Sequence, residues 1–163
     1  MPNERALIHH VTSAARKLRK QGDMAQGMTL FAGYVMNDDS HKKYISRTCS
    51  FTSPSDFTPD FIREIATYSN QIMVPGAVYK KAGVIVHDFV AKDAYQQHLF
   101  TPTPDRPKQD QLMKTMDTIN QKMGARSIHF AGAGIDQPWQ GRNHMKSQGY
   151  TTNWHELLTI DLS

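Results

Sequence analysis

Cysteine is nearly absent from this sequence: Cys49 is the single one in 163 residues. That excludes an internal disulfide and any zinc site built on several cysteines. Cys49 falls in an expected strand, where a buried, inert thiol is the default. No apolar run approaches the ~20 residues that a membrane-crossing helix requires. The opening Met1-Pro2-Asn3-Glu4-Arg5 lacks the basic-then-apolar order of a signal peptide, so a cytoplasmic protein with no membrane partner is expected. Catalytic signatures are missing too. His9 and His10, adjacent on an expected helix, point about 100° apart and do not face one ion. His41, His98, His144 and His155 have no cysteine or acidic partner at ligand spacing. Gly132-Ala133-Gly134 lacks the third glycine and the strand–helix setting of a dinucleotide fingerprint and reads as a tight turn. No serine, aspartate or cysteine is marked as a nucleophile or its partner. Neither catalytic residues, nor a metal, nor a cofactor is expected.

What is present is an ordinary globular composition, 39% hydrophobic and 21% charged, in a length that fits one domain or two small ones. The net charge of +4 is mildly basic, and its distribution carries more than its size. Residues 1–23 hold five Lys or Arg against two acids, with Arg16, Lys17, Arg19 and Lys20 in one stretch. A second basic pair, Lys80-Lys81, begins a later strand. Two readings stay open: basic clusters that converge on a phosphate backbone, or charge compensation at a helix end and a solvated strand start.

The order of elements is plain from periodicity. Asn3 is expected to cap a helix starting near Glu4, with Leu7, Val11, Ala14, Ala15 and Leu18 inward and Gly22 as terminator. Residues 28–36 and 44–52 read as strands of an antiparallel hairpin, joined by a polar turn over residues 37–42. Ile45, Arg47, Cys49 and Phe51 share one face of the second strand, and Tyr44, Ser46, Thr48 and Ser50 the other. Thr58-Pro59-Asp60 predicts a helix start with Thr58 as the capping hydroxyl. Phe61, Ile62, Ile65, Ser69, Ile72 and Met73 then face inward, and Tyr79 to Val90 follows as a strand. Helix, strand, strand, helix, strand is a split β-α-β-β-α-β arrangement without its first strand, a fold of the α+β class with two helices on one sheet face and an exposed edge.

Beyond the sheet, Thr101-Pro102-Thr103-Pro104-Asp105-Arg106-Pro107 breaks any continuing element. Just before it, Leu99 and Phe100 in Gln96-Gln97-His98-Leu99-Phe100 put two large apolar side chains on a tether. They are either a docking peptide or a strand end folded onto the core. From Pro107 a helix carries Leu112, Met116, Ile119 and Met123 on one stripe and closes at Gly124. Residues 127–131 read as a short strand, and Trp139, Met145, Tyr150, Trp154, Leu157 and Ile160 as a small irregular core. The tail thus adds a small α+β extension.

These pieces resemble the UmuC-type, Y-family translesion DNA polymerases. The residues that carry the resemblance are Ala14-Ala15-Arg16-Lys17-Leu18-Arg19, Tyr79-Lys80-Lys81-Ala82-Gly83-Val84 and the Gln96 to Phe100 peptide. With them go Gln111-Leu112-Met113, Met116-Asp117, Phe130-Ala131-Gly132-Ala133-Gly134, Trp139 and Tyr150 through Leu158. The resemblance implies that residues 1–90 are a little finger, the DNA-gripping domain of such polymerases. Residues 91–107 become a linker whose Gln96, Leu99 and Phe100 match a sliding-clamp-binding peptide, with Gln97 in place of its usual leucine. Residues 108–163 become the C-terminal extension. Lys80 and Lys81 match the family's basic pair, and Arg47 is a plausible addition from the hairpin. The implied partners are sequence-independent duplex DNA, the beta sliding clamp, a UmuD-type accessory subunit and the RecA filament, in SOS mutagenesis. The palm carboxylates that hold two metal ions would lie upstream, so this chain alone is not expected to polymerise DNA. It corresponds to an excised piece or to a truncated gene product. The rival reading is a protein-interaction module with little affinity for DNA.

Overall fold

A computed structural model describes residues 2–36, 39–95, 105–135, 139, 147–150 and 153–157. Helix α1 (Pro2–Gln21) leads into strands β1 (Asp23–Met36) and β2 (Asp39–Ser55), then helix α2 (Thr58–Tyr68) with a 3-10 turn (Ser69–Ile72), and strand β3 (Ala77–Ala91). Helix α3 (Arg106–Met123) and two short 3-10 turns, Ala131–Ala133 and Trp154–Glu156, follow. The three strands form one antiparallel sheet in the order β2-β1-β3. The α+β class, the element order from α1 through β3 and the antiparallel hairpin are those expected from the sequence.

Parity along the strands builds the core. Met28, Leu30 and Ala32 of β1, Cys49 and Phe51 of β2 and Val84 and Val86 of β3 turn to one face. Leu7, Ile8, Val11, Ala15 and Leu18 of α1 and Phe61 and Ile65 of α2 close over them. Phe51 and Phe61 meet edge to face, with ring centroids 4.8 Å apart. Each such side chain contributes about 1.5–3 kcal/mol of transfer free energy, so this face supplies most of the stability. Gly22 ends α1 in the left-handed region (φ 82°), and its carbonyl accepts the Lys92 N–H at 3.1 Å, tying the helix end to the end of β3.

Several local expectations give way to tertiary context. Helix α1 begins at Pro2, so Asn3 lies within it and does not precede it. Both hairpin strands run longer than their apolar cores, because ladder hydrogen bonds continue through polar residues. β2 already starts at Asp39, inside the segment expected to be a turn. The Thr58 hydroxyl makes no cap on α2. It accepts from Arg19 Nη1 at 2.9 Å instead, while Ser55 Oγ takes the Phe57 N–H at 3.1 Å.

The tail departs furthest. Helix α3 covers its expected stripe only in part: Met116 and Ile119 are half-buried, Leu112 and Met123 are exposed, and the fully buried residue is Met113. Ion pairs dock the helix. Arg19 Nε and Nη2 pair with Asp117 at 2.8 and 3.0 Å, and Lys92 Nζ donates to Asp110 at 2.7 Å and to Asp56 at 2.9 Å. Burial pulls the Lys92 ammonium down, but those hydrogen bonds to Asp110 and Asp56 outweigh it, and its pKa stands above the usual lysine value. Asp105 caps α3 by accepting from the Lys108 N–H at 3.2 Å.

Residues 127–131 form no strand. The Asn120 side-chain amide takes both backbone groups of Ile128, at 2.8 and 3.0 Å, in place of a strand partner. Of the expected aromatic core of the tail, Trp139 is half-buried. Tyr150, Trp154 and Leu157 are exposed, whereas Ala133 inserts into the core under α1. Met145 and Ile160 lie outside the described residues.

Candidate nucleic-acid interface

Alternate residues of the same strands make a second sheet face, and no described element covers it. Its cross-strand rows follow from the register. They are Ser50–Gly27–His87, Thr48–Thr29–Ile85, Ser46–Phe31–Gly83 and Tyr44–Gly33–Lys81, each from β2 through β1 to β3. Hydroxyls dominate the β2 side. Thr29 and Thr48 share a hydrogen bond at 2.9 Å, and Thr29 Oγ1 also lies 3.2 Å from His87 Nε2. Asp88 Oδ2 holds His87 Nδ1 at 2.9 Å. Tyr44 and Ile85 are well exposed, at 69% and 54%.

The face is flat because rings lie down on glycines. A Cβ at Gly83 would stand 2.5 Å from Phe31 Cζ, and one at Gly27 would stand 2.4 Å from the His87 ring. Tyr44 covers Gly33 in the same way. Without these glycines the rings would stand off the sheet and roughen a surface that now presents hydroxyls, ring faces and backbone.

Positive charge gathers at one end. Lys81 stands opposite Gly33 with its ammonium 5.8 Å from the Phe31 ring centroid. Register shifts between Gly33 and Tyr34, pairing Tyr34 with Tyr79, so Lys80 is the extra residue of a bulge and is exposed. Across β1, Lys42 shares the parity of Tyr44 on the open face, while Lys43 pairs with Tyr34 and has the covered-face parity of Ile45 and Arg47. The two lysine pairs are thus two strand spacings apart, about 9.6 Å. The sequence puts Lys42 in the expected turn and leaves Lys43 between the turn and the strand, so it places neither on the sheet. Only the register brings them level with Lys81. The hydroxyl row and the glycine–ring pairs also depend on register and carry no local signal.

Arg47 does not join this group. It pairs with Leu30 on the covered face, and its guanidinium sits 5.6 Å over the Tyr68 ring of α2. Gln96, Leu99 and Phe100 lie outside the described residues. No group of three His, Cys, Asp or Glu that could hold a metal ion occurs among the described residues, and none of the described helices is long and apolar enough to cross a membrane.

Residues 3–99 match the impB/mucB/samB family C-terminal domain, and residues 110–160 match a domain of unknown function, DUF4113. Among individual proteins, SamB of Salmonella typhimurium is 30% identical over 161 residues, covering 97% of this chain and 37% of its own length. UmuC of Salmonella typhimurium is 28% identical over 158 residues, 95% of this chain and 37% of that protein. MucB of Escherichia coli is 28% identical over 157 residues, 94% of this chain and 36% of that protein. The chain therefore spans little more than a third of the relatives it matches.

Proposed function

Since this chain belongs to the impB/mucB/samB family through its C-terminal domain, we propose that it is the DNA-gripping part of a UmuC-like translesion polymerase. On this reading residues 1–90 hold duplex DNA on the open sheet face, residues 91–107 carry a sliding-clamp peptide at 96–100, and residues 108–163 form the extension. The chain contributes grip without chemistry, working in the cytoplasm in SOS mutagenesis. A UmuD-type subunit and the RecA filament are its further partners.

The observation that carries the DNA reading is the open face itself. Hydroxyls of Ser46, Thr48 and Ser50 and the ammonium groups of Lys80 and Lys81 are donors suited to phosphate oxygens. Such contacts ignore base sequence, which suits a polymerase part that must tolerate a distorted template. Duplex binding tests the proposal. Lys80→Ala with Lys81→Ala should weaken binding alike on unrelated sequences and flatten its dependence on log salt by about one unit per lost contact. Unchanged affinity and slope would remove both lysines from the interface. Clamp docking is tested separately: Leu99→Ala with Phe100→Ala should abolish clamp association and leave DNA binding intact.

A second reading, a protein-interaction module, is favoured by the exposed Leu112, Met123, Trp154 and Leu157 on the tail. Filter binding of duplex DNA at low salt separates the two, since the interaction module retains little.

A further inference from the structure

On the helical side of the molecule, α1, α3 and residues 125–133 enclose a cavity of about 170 Å³. At ~30 Å³ per water it has room for roughly five or six water molecules, or for one tetrahedral anion with part of its hydration. Beside an apolar wall of Met113, Met116 and Phe130, its polar lining is rich in cations and donors: His9, Ser13, Arg16, Arg126 and His129. Of its other polar residues, Thr12 donates to the Ile8 carbonyl and Asn120 is held by the Ile128 backbone. The one carboxylate in the wall, Asp117, has both oxygens engaged by Arg19. Arg19 is itself spent, with Nη1 donating to the Asp56 carbonyl and to Thr58 Oγ1, each at 2.9 Å. Arg16 and Arg126 form no ion pair with any described residue.

The backbone at Arg126 supports a purpose for this gathering of charge. Arg126 sits at φ 76°, a left-handed conformation that strains a non-glycine residue, in a turn locked by Ser127 Oγ donating to the Met123 and Gly124 carbonyls. That turn brings the guanidinium close enough to His9 for its charge to act there. Burial first, then the charges of His10 and Arg126, hold His9 below the ordinary histidine pKa. Arg16, Arg19 and Asp117 also line a wider groove between α1 and α3, where Asp56 and Asp110 are bound by Lys92 and the lysines Lys17, Lys20 and Lys114 leave the balance positive.

We propose that this cavity binds a phosphoryl group, clamped by Arg16 and Arg126, with Ser13, His9 and His129 completing the donor set. The tetrahedral oxygens of a phosphate reach donors on several sides, whereas the two oxygens of a carboxylate lie in one plane, and guanidinium groups pair well with phosphate geometry. The phosphoryl group belongs either to a nucleic-acid backbone, as a diester with two free oxygens, or to a small free phosphate with more, and both offer anionic phosphate oxygens to the two arginines.

The test is a titration of the full chain with inorganic phosphate against chloride at matched ionic strength, following the imidazole resonances of His9 and His129. Both should move saturably with phosphate and not with chloride. Arg126→Gln should weaken phosphate about tenfold or more, as loss of a charge-assisted pair does, while Arg126→Lys keeps part of the affinity. Unchanged resonances of Thr29 and Ile85 in each variant would verify the fold. Lys80→Ala with Lys81→Ala should bind phosphate as the parent does, which separates this site from the sheet face. Displacement of phosphate by a short duplex would identify the DNA backbone as the source, and retained phosphate a free small anion. No saturable movement at tens of millimolar phosphate, equal movement with chloride, full affinity in Arg126→Gln, or tighter binding of a glutamate-rich peptide would each overturn the proposal.

Discussion

The two faces of the sheet are made by alternate residues of the same three strands, yet they obey different rules. On one, Met28, Leu30 and Ala32 meet Leu7, Val11, Phe61 and Ile65 of the helices and are withdrawn from water. On the other, Thr29, Phe31 and Gly33, each one residue along, meet only their cross-strand neighbours. The hydrogen-bonded ladder is common to both. Because helix packing on one side secures the fold, side chains on the other are free to be selected for contact with a partner. A residue's parity in the strand thus decides whether its loss is read in stability or in binding.

The sharpest way to break that comparison is to truncate one residue from each side. Phe61→Ala, beneath the covered face, should lower stability by about 3–5 kcal/mol in chemical denaturation. Ile85→Ala on the open face should stay within ~0.5 kcal/mol. Similar losses in both would mean that something covers the open face. Next in size is Arg19→Ala, which should cost on the order of 2 kcal/mol by stranding Asp117 and Thr58, and should speed hydrogen exchange in α3 before it affects β1. Gly83→Ala should push the Phe31 ring off the sheet and cost about 1 kcal/mol, visible as a changed Phe31 environment by NMR.

Arg47→Ala and Lys81→Ala remove the same charge from opposite faces. The first should lose up to about 1 kcal/mol of stability through the Tyr68 contact and leave DNA affinity alone. The second should do the reverse. The smallest effect is at Cys49. Burial first, with Glu64 adding to it and Arg47 opposing, pushes its thiol up to about 11 from 9.0. Only about one molecule in a thousand should then be thiolate at pH 8, so Cys49 should resist alkylation until the chain unfolds. Its folded pKa lies above the unfolded one, so any stability linked to it is complete below pH 9 and declines as pH rises from 9 towards 11.

Much of the covered face was legible in the sequence, because α1 and α2 repeat their apolar residues at helical spacing and Cys49 and Phe51 alternate with polar neighbours. The open face was legible only in part. Ser46, Thr48 and Ser50 could be placed on a common side from alternation, but nothing local says that Lys42 and Lys43 come level with Lys81, or that Phe31 and His87 lie on glycines of another strand. Those facts depend on register and on the bulge at Lys80, which pairing between strands decides. The tail was least legible. Helix α3 reads as amphipathic about Leu112 and Met116, yet Arg19 and Lys92 from distant elements pair with Asp117 and Asp110, and Met113 is its fully buried residue. Likewise, one Asn120 side chain occupies the backbone of Ile128, where a strand was expected. In both places a polar contact that the local apolar pattern does not reveal takes part in the packing.

The central claim, that DNA meets this chain on the open sheet face, is tested most directly by the side-chain methyl resonances of a duplex titration. The account predicts that the methyls of Thr29, Thr48 and Ile85 shift and saturate together, while those of Leu30, Ile65 and Ile72, from the same fold but the covered side, stay still. Saturable binding that leaves Thr29, Thr48 and Ile85 unmoved would contradict it.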